Sequence, residues 1–192
     1  MSEVERPDFQ IAQGEKSRNL RDPELLPITE GPDISLEQPC HPFDFAHPPA
    51  EPLWLAKSLA MTMKAANGSG LAAVQCGFPY RAFVIKIGSS WRAHFNPEIE
   101  PQLGAMASDV EGCLSFPGLR ISVTRPTRIV ANFQSEFGQP RHVVYTDQDA
   151  RKFLHEFDHL YGLTLYGRAE RAKERGAFVQ VGERMRIADG RI

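Results

Sequence analysis

At 192 residues the chain is long enough to bury a sizeable core as one domain. Apolar residues make up 42% and charged residues 24%, and the net charge of −2 comes without a run of five like charges. That balance excludes a nucleic-acid footprint and an anionic membrane surface. The opening "MSEVERPDFQIAQGEKSRNL" has no apolar signal core, and no stretch approaches the ~18 apolar residues of a membrane span. The expected protein is cytoplasmic, or organellar with an import sequence already removed.

Nine of the 15 prolines lie between Pro7 and Pro52. This segment, 1–52, is read as an extended arm packed on the domain. "LWLAKSLAMTMKAAN" from Leu53 predicts a helix with Leu55, Leu59 and Met63 on one face, stopped by Asn67-Gly68. Four strand-like runs follow at 81–87, 92–96, 128–133 and 141–146, the last two joined by "FGQP". Thr146 with Asp149 resembles a capping box for a helix running to about Tyr161, with Gly162 as its stop. The tail 169–192 is read as an extension that starts as a helix and has no assignable end. The class is α+β.

The late helix carries "LHEFDHLYG" (154–162). Positions four apart share a helix face, so His155 and His159 can both reach one metal ion. Glu156 is offset by about 100°, off the metal yet placed to take a proton from bound water. Alone, the pattern is equally a charged helix that happens to carry two imidazoles. A third ligand is needed. Cys113 in "EGCLS" (111–115) offers a thiolate and leaves a fourth position open, the arrangement of a catalytic metal. By residue type Cys76, Cys40 and His41 compete with it. Three cysteines are a poor disulfide framework. "GSGLAAVQ" (68–75) places paired glycines where an extended ligand's backbone can approach, with the Gln75 amide able to polarise a carbonyl.

Together, "GSGLAAVQ", "EGCLS" and "HEFDH", in this order and with these gaps, resemble the three signature motifs of the peptide deformylase family. The similarity runs from about Leu53 to Arg168 and includes "FNPEI" (95–99). The resemblance implies mostly antiparallel β-sheets packed around a central helix that carries HExxH, with 53–168 as the catalytic core. It implies Cys113, His155 and His159 as ligands of one divalent metal, Fe(2+) in the cell, with Ni(2+), Co(2+) or Zn(2+) as substitutes. Glu156 then acts as acid and base, while Gln75 and the backbone N–H of Leu114 hold the formyl oxygen. Gly68, Ser69, Gly70, Glu111, Gly112 and Arg120 border the substrate. The implied partners are N-formyl-methionyl nascent peptides met at the ribosome, with no membrane and no specific nucleic acid.

Three positions depart from the family pattern. Ser69 stands where Ile or Val is usual and borders the groove, which puts substrate preference in question. Leu154 replaces the glutamine that commonly precedes HE, and "GLTLYGRAER" lacks the acidic residue of the family's usual "LFxD" ending. The competing readings are a deformylase of another N-formylated substrate, a zinc endopeptidase, and an inactive deformylase-like protein.

Overall fold

The computed structural model describes residues 21–100, 105–174, 178–181 and 184–187. Helix α1, Pro52–Ala65, opens with proline in its first turn, and the Glu51 carboxylate accepts from the Leu53 and Trp54 N–H groups. Leu55, Leu59 and Met63 are buried, the stripe expected from their spacing. Asn67 follows with φ +54°, a left-handed conformation that asparagine tolerates, and ends the helix.

Two antiparallel sheets carry the rest. Strands β1 (Gly70–Ala72), β2 (Ala82–Ile87) and β3 (Ser90–Ile99) form the first sheet with two later strands, β6 (Arg128–Gln134) and β7 (Pro140–Thr146), in the order β1-β2-β3-β6-β7. The four expected runs fall on β2, β3, β6 and β7. Residues alternate across this sheet. Ala82 and Val84 face α1 with Leu55, Leu59 and Phe95, while Phe83 and Ile85 face the other way, towards Ile129, Phe153 and Leu160.

The second sheet is less expected from sequence. Strands β4 (Met106–Cys113) and β5 (Phe116–Pro126) form a long hairpin, extended by β8 (Phe178–Val181) and β9 (Arg184–Ile187) in the order β4-β5-β8-β9. From Leu119 to Arg125 the residues of β5 alternate buried and exposed. The tail begins as a helix, α3 (Leu165–Glu174), and then contributes the two closing strands.

Helix α2, Asp147–His159, lies between the sheets. Its Ala150 and Phe153 pack into the core of the first sheet, and its opposite side meets β5. Thr146 is its N-cap residue, but the threonine side chain makes no capping bond, so the expected capping box does not form. Beyond the helix Gly162 has φ +69°, and a Cβ there would overlap the Glu37 carbonyl, so the stop requires glycine. The segment before α1 crosses the site. Thr29 N–H donates to Gln75 O at 2.8 Å, Gly31 N–H to Ser115 O at 2.8 Å and Cys40 N–H to Leu160 O at 2.9 Å. Leu36 and Phe43 are buried within the two neighbouring cores. Among the described residues no helix is long and apolar enough to cross a membrane.

Candidate active site

The three sequence motifs meet at the seam between the sheets. Cys113 ends β4 where the chain reverses into β5, and His155 and His159 come from successive turns of α2. Their ligating atoms all lie within 4.8 Å of one another, and Cys113 Sγ is 3.4 Å from His159 Nε2. The other sulfur candidates lie elsewhere. Cys76 is buried in the α1 core, where burial pushes its thiol up to about 12, and burial takes Cys40 to about 11. His41 is exposed beside the Tyr80 ring.

Glu111 organises the histidine side of this cluster. Its Oε2 lies 3.0 Å from His155 Nδ1, so that nitrogen donates to the carboxylate and the other ring nitrogen is left to act as a ligand. Two buried arginines hold the same carboxylate. Arg125 donates at 2.6 and 2.8 Å, and Arg151 donates at 2.7 Å. Burial alone would raise the Glu111 carboxyl, but the hydrogen bonds from Arg125 and His155 outweigh it and bring it down to about 2. Burial opposes charge on His155 too, yet bonds to Cys113 and Glu111 hold it well above the ordinary imidazole value. His159, desolvated and beside His155, falls to about 3. A bound cation would favour the neutral, ligating form of both rings.

Glu156 sits on the neighbouring face of α2 and is 4% exposed. Desolvation raises its carboxyl to about 7, and its Oε2 has no hydrogen-bond partner. The space for it comes from Gly70, because a Cβ at that position would overlap the Glu156 carboxylate. Gln75 lies in the 3-10 turn Ala73–Cys76 after β1. Its Oε1 accepts from Ala72 N–H at 2.8 Å, which fixes the amide orientation, and its Nε2 faces Ser115 Oγ at 3.0 Å and Cys113 Sγ at 3.5 Å.

A cavity of about 610 Å³ opens onto these groups. One rim is 68–70, leading into β1, and the other is 110–114, at the end of β4; among the described residues both are edge strands of their sheets. Leu114, Gly68, Ser69, Gly70, Gly112 and Arg120 therefore all border one space with Gln75, His155 and Glu156. A Cβ on Gly68 would strike Leu114 Cδ1, and one on Gly112 would strike the Arg120 guanidinium, so both glycines admit a neighbouring side chain. Arg120 is exposed at the rim. Glu111 also lines the cavity, although its carboxylate is spent on His155 and the two arginines. Asp158 pairs with Arg125 at 3.0 Å and Arg168 at 2.8 Å, away from the ligand atoms.

Sequence reasoning passed over Arg151 and Ser115. Arg151 precedes His155 by four residues and so shares its helix face, a signal that was readable. Ser115 as the partner of Gln75 was not, since 40 residues separate them. His94 is a core histidine enclosed by Phe83, Phe133 and Phe153, with Nε2 2.7 Å from Tyr145 Oη.

This combination, a Cys/His/His cluster with a desolvated carboxyl at the foot of a groove, is that of a metallohydrolase centre. Comparison with known proteins gives the family. The polypeptide deformylase family profile matches residues 25–175. A peptide deformylase of Caldicellulosiruptor bescii is 46% identical over 102 residues, 53% of this chain and 61% of that protein. One of Carboxydothermus hydrogenoformans is 35% identical over 122 residues, 64% of this chain and 80% of that protein. Among solved structures, the Thermotoga maritima peptide deformylase superposes with a TM-score of 0.70 at 32% identity, covering 74% of this chain and 96% of that one. A class I type b peptide deformylase of Acinetobacter baumannii with Met-Ala-Ser bound superposes with a TM-score of 0.68 at 26% identity, covering 75% and 98%. The chain belongs to the polypeptide deformylase family. It spans about three fifths of the length of the Synechococcus and C. bescii relatives, 59% and 61%.

Proposed function

We propose that the protein is a metal-dependent peptide deformylase, releasing formate from the N-terminal residue of formylated peptides. Formyl-methionyl nascent chains are the class that the family implies. The observation that carries this reading is the convergence of Cys113, His155 and His159 within 4.8 Å, beside a carboxyl raised to about 7.

The donor set fits a divalent metal. One soft sulfur and two imidazole nitrogens suit iron, nickel, cobalt or zinc, and Glu111 fixes which His155 nitrogen is left to bind. Held by these three residues, the metal would supply a Lewis acid and lower the pKa of a bound water towards neutrality. Fe(2+) is the proposed metal in the cell, with Ni(2+), Co(2+) or Zn(2+) as substitutes.

The remaining work falls to the protein's own groups. Glu156, near neutral pKa, takes a proton from the attacking water at Oε2 and later delivers it to the leaving amine. Gln75 Nε2 and the Leu114 N–H donate to the formyl oxygen as it gains charge, each such donor typically contributing ~3–4 kcal/mol. The two free strand edges suit an extended peptide, which can add main-chain bonds beside Gly70. Formyl carbon bears only hydrogen, so a tight floor admits formamides and rejects larger acyl groups. The proposed setting is the cytoplasm, on chains emerging from the ribosome.

The test is formate release from a formyl tripeptide by anaerobically prepared protein, with metal content measured and Glu156→Gln alongside. Release by protein holding about one metal per chain, lost in the variant with its metal retained, supports the reading. A loaded protein that releases no formate from any formyl peptide refutes it.

A further inference from the structure

The two groups proposed to hold the formyl oxygen come from different sheets. Gln75 follows β1 in the first sheet, and Leu114 follows β4 in the second. Among the described residues no strand pairing spans that gap. The segment before α1 spans it instead. Thr29 N–H donates to Gln75 O and Gly31 N–H to Ser115 O, both at 2.8 Å. Two residues of chain reach at most about 7 Å, so the segment holds the two backbones to a short, fixed span. A third bond closes the triangle, because Gln75 Nε2 donates to Ser115 Oγ at 3.0 Å and Ser115 is fully buried.

The segment is laid in register along α1. Trp54 Nε1 donates to Asp22 O at 3.1 Å, Glu24 N–H to Ser58 Oγ at 3.1 Å and Leu26 N–H to Thr62 Oγ1 at 2.9 Å. Every second residue of the segment thus meets every fourth residue of the helix. The repeats match, since two extended residues span about 6.6 Å and four helical ones about 6.0 Å. This gives the buried Ser58 and Thr62 hydroxyls their partners. Leu26 and Ile28 pack against the same core, and the chain then turns at Gly31, where φ is +80°. That conformation is open to glycine and tolerated by asparagine, but strained for a branched side chain. None of the cavity-lining residues comes from 22–31, so the segment acts from outside the groove.

An amide nitrogen has two protons. Ser115 Oγ takes one from Gln75, and Ala72 N–H holds the amide oxygen at 2.8 Å, so the amide plane is fixed at both ends. The second proton is left to the Cys113 side, with Nε2 3.5 Å from Sγ. Without Ser115 the amide keeps one anchor and can rotate. Without the Gly31 bond the Leu114–Ser115 backbone can drift from Gln75. A misplacement of about 1 Å can cost about 10²-fold in rate.

We propose that the 22–31 segment is a positioning strap. Laid along α1 by Ser58 and Thr62, it fixes, through Gly31 and Ser115, the distance and orientation of Gln75 relative to the Leu114 N–H. The proposal rests on the deformylase reading for the chemistry of those two donors, and its geometric part can fail separately.

The test compares Ser115→Ala, Gly31→Val and Gly31→Asn in the nickel-loaded full chain, following formate release from formyl-Met-Ala-Ser. A Cβ at Gly31 meets nothing within 4 Å, so any loss there comes from backbone conformation and not from a clash. The expected result is a kcat about tenfold lower for Ser115→Ala and Gly31→Val, a fraction of the ~10²–10³ carried by an oxyanion donor, with KM and metal content unchanged. Gly31→Asn should recover most of the loss. In a Gln75→Met background, Ser115→Ala should cost about twofold or less, because the group it positions is gone. In zinc-loaded protein, NMR should show the Gln75 carboxamide protons exchanging with water about tenfold faster in Ser115→Ala and Gly31→Val, the scale of one lost hydrogen bond. Should valine at 31 displace the metal, Gly31→Ala takes its place, strained at the same φ by a smaller side chain. A kcat and Gln75 exchange rate equal to the parent's in either variant overturn the proposal and leave the deformylase reading standing. So does a Ser115→Ala loss that persists in full in the Gln75→Met background, or a Gly31→Asn as impaired as Gly31→Val. If the parent releases no formate, the deformylase reading fails and the exchange rates decide the rest: faster in the variants, the strap stands, and unchanged, both fall.

Discussion

Replacing Arg151 with methionine keeps the length of the side chain and removes its guanidinium. In the native structure that group donates to Glu111 Oε1 at 2.7 Å, Val123 O at 2.8 Å and Ala107 O at 2.7 Å, joining α2 to both strands of the β4–β5 hairpin. Breaking a buried ion pair costs about 3–5 kcal/mol when the remaining charge is left alone. Here Glu111 keeps Arg125, which lowers that figure, while the Val123 and Ala107 carbonyls lose a charged donor, which adds about 1–3 kcal/mol. A net loss of about 3 kcal/mol follows, or roughly 6–12 °C in Tm for a chain of this size. Because Glu111 orients His155, metal affinity is also expected to fall by about 10–100-fold, measured by chelator competition. The acid limb provides a further check. Glu111 has a folded pKa of about 2, below its unfolded value near 4.3, so the folded state binds fewer protons between them. Its contribution is complete above the unfolded value and disappears as pH falls towards 2. Losing one of its cations raises the folded pKa, so acid unfolding of the variant begins at higher pH. A Tm within about 2 °C of the parent together with unchanged metal affinity would show that Arg151 does not hold the site.

Three further perturbations have expected outcomes. Glu156→Gln should lower kcat by about 10²–10⁴ while metal content stays the same, read by formate release and elemental analysis. In metal-free protein the same variant should be at least as stable as the parent at pH 8. The Glu156 carboxyl is raised to about 7 on folding, so its ionisation opposes the fold as pH rises, and the advantage should vanish below pH ~4 in denaturant titrations. Gly70→Ala should displace the Glu156 carboxylate and cost tenfold or more in kcat with Tm reduced only modestly, since the overlap is with the end of a side chain. Removing the metal with a chelator should abolish formate release, and anaerobic Fe(2+) should restore it; in air the iron form should decay as Cys113 oxidises, followed by mass spectrometry.

What could be read in the sequence was whatever is encoded locally. The α1 stripe of Leu55, Leu59 and Met63, the β2 and β3 runs, and the i, i+4 pair His155 and His159 each depend on residues a turn or a strand apart. The β4–β5 hairpin was missed although "LRISVTR" alternates, because Arg120, Ser122 and Thr124 on its outer face dilute its apolar content. Glu111 could be identified as part of a motif, but not as the acceptor for Arg125, Arg151 and His155. Those contacts span 14, 40 and 44 residues; the first needs the hairpin to close, and the other two exist only once α2 lies across it. Cys113 could not be chosen over Cys76 and Cys40 by residue chemistry, because all three are buried free thiols. Only the fold separates them, bringing Cys113 beside His155 and His159 at the cavity while the other two pack into cores away from it.

The placement of the site follows from the same seam. Cys113 belongs to the second sheet and the histidines to a helix whose apolar face is committed to the first, so a metal held by all three ties the two layers together. The buried Glu111–Arg151 and Asp158–Arg125 pairs cross the same boundary without a metal. They bring the ligands within reach of one another before any ion arrives, so binding has little ordering left to do. A carboxylate at 111 suits this position better than an amide would. It accepts from two cations and an imidazole at once, and its charge keeps the His155 Nδ1 proton in place, which leaves the other nitrogen to the cluster with Cys113. Among the described residues the seam also leaves β1 and β4 as edge strands on either side of Cys113, His155 and His159. The Cys113, His155 and His159 cluster, the Glu156 carboxyl and the cavity therefore converge at this junction, the place where the sheets are held by side chains instead of by strand pairing.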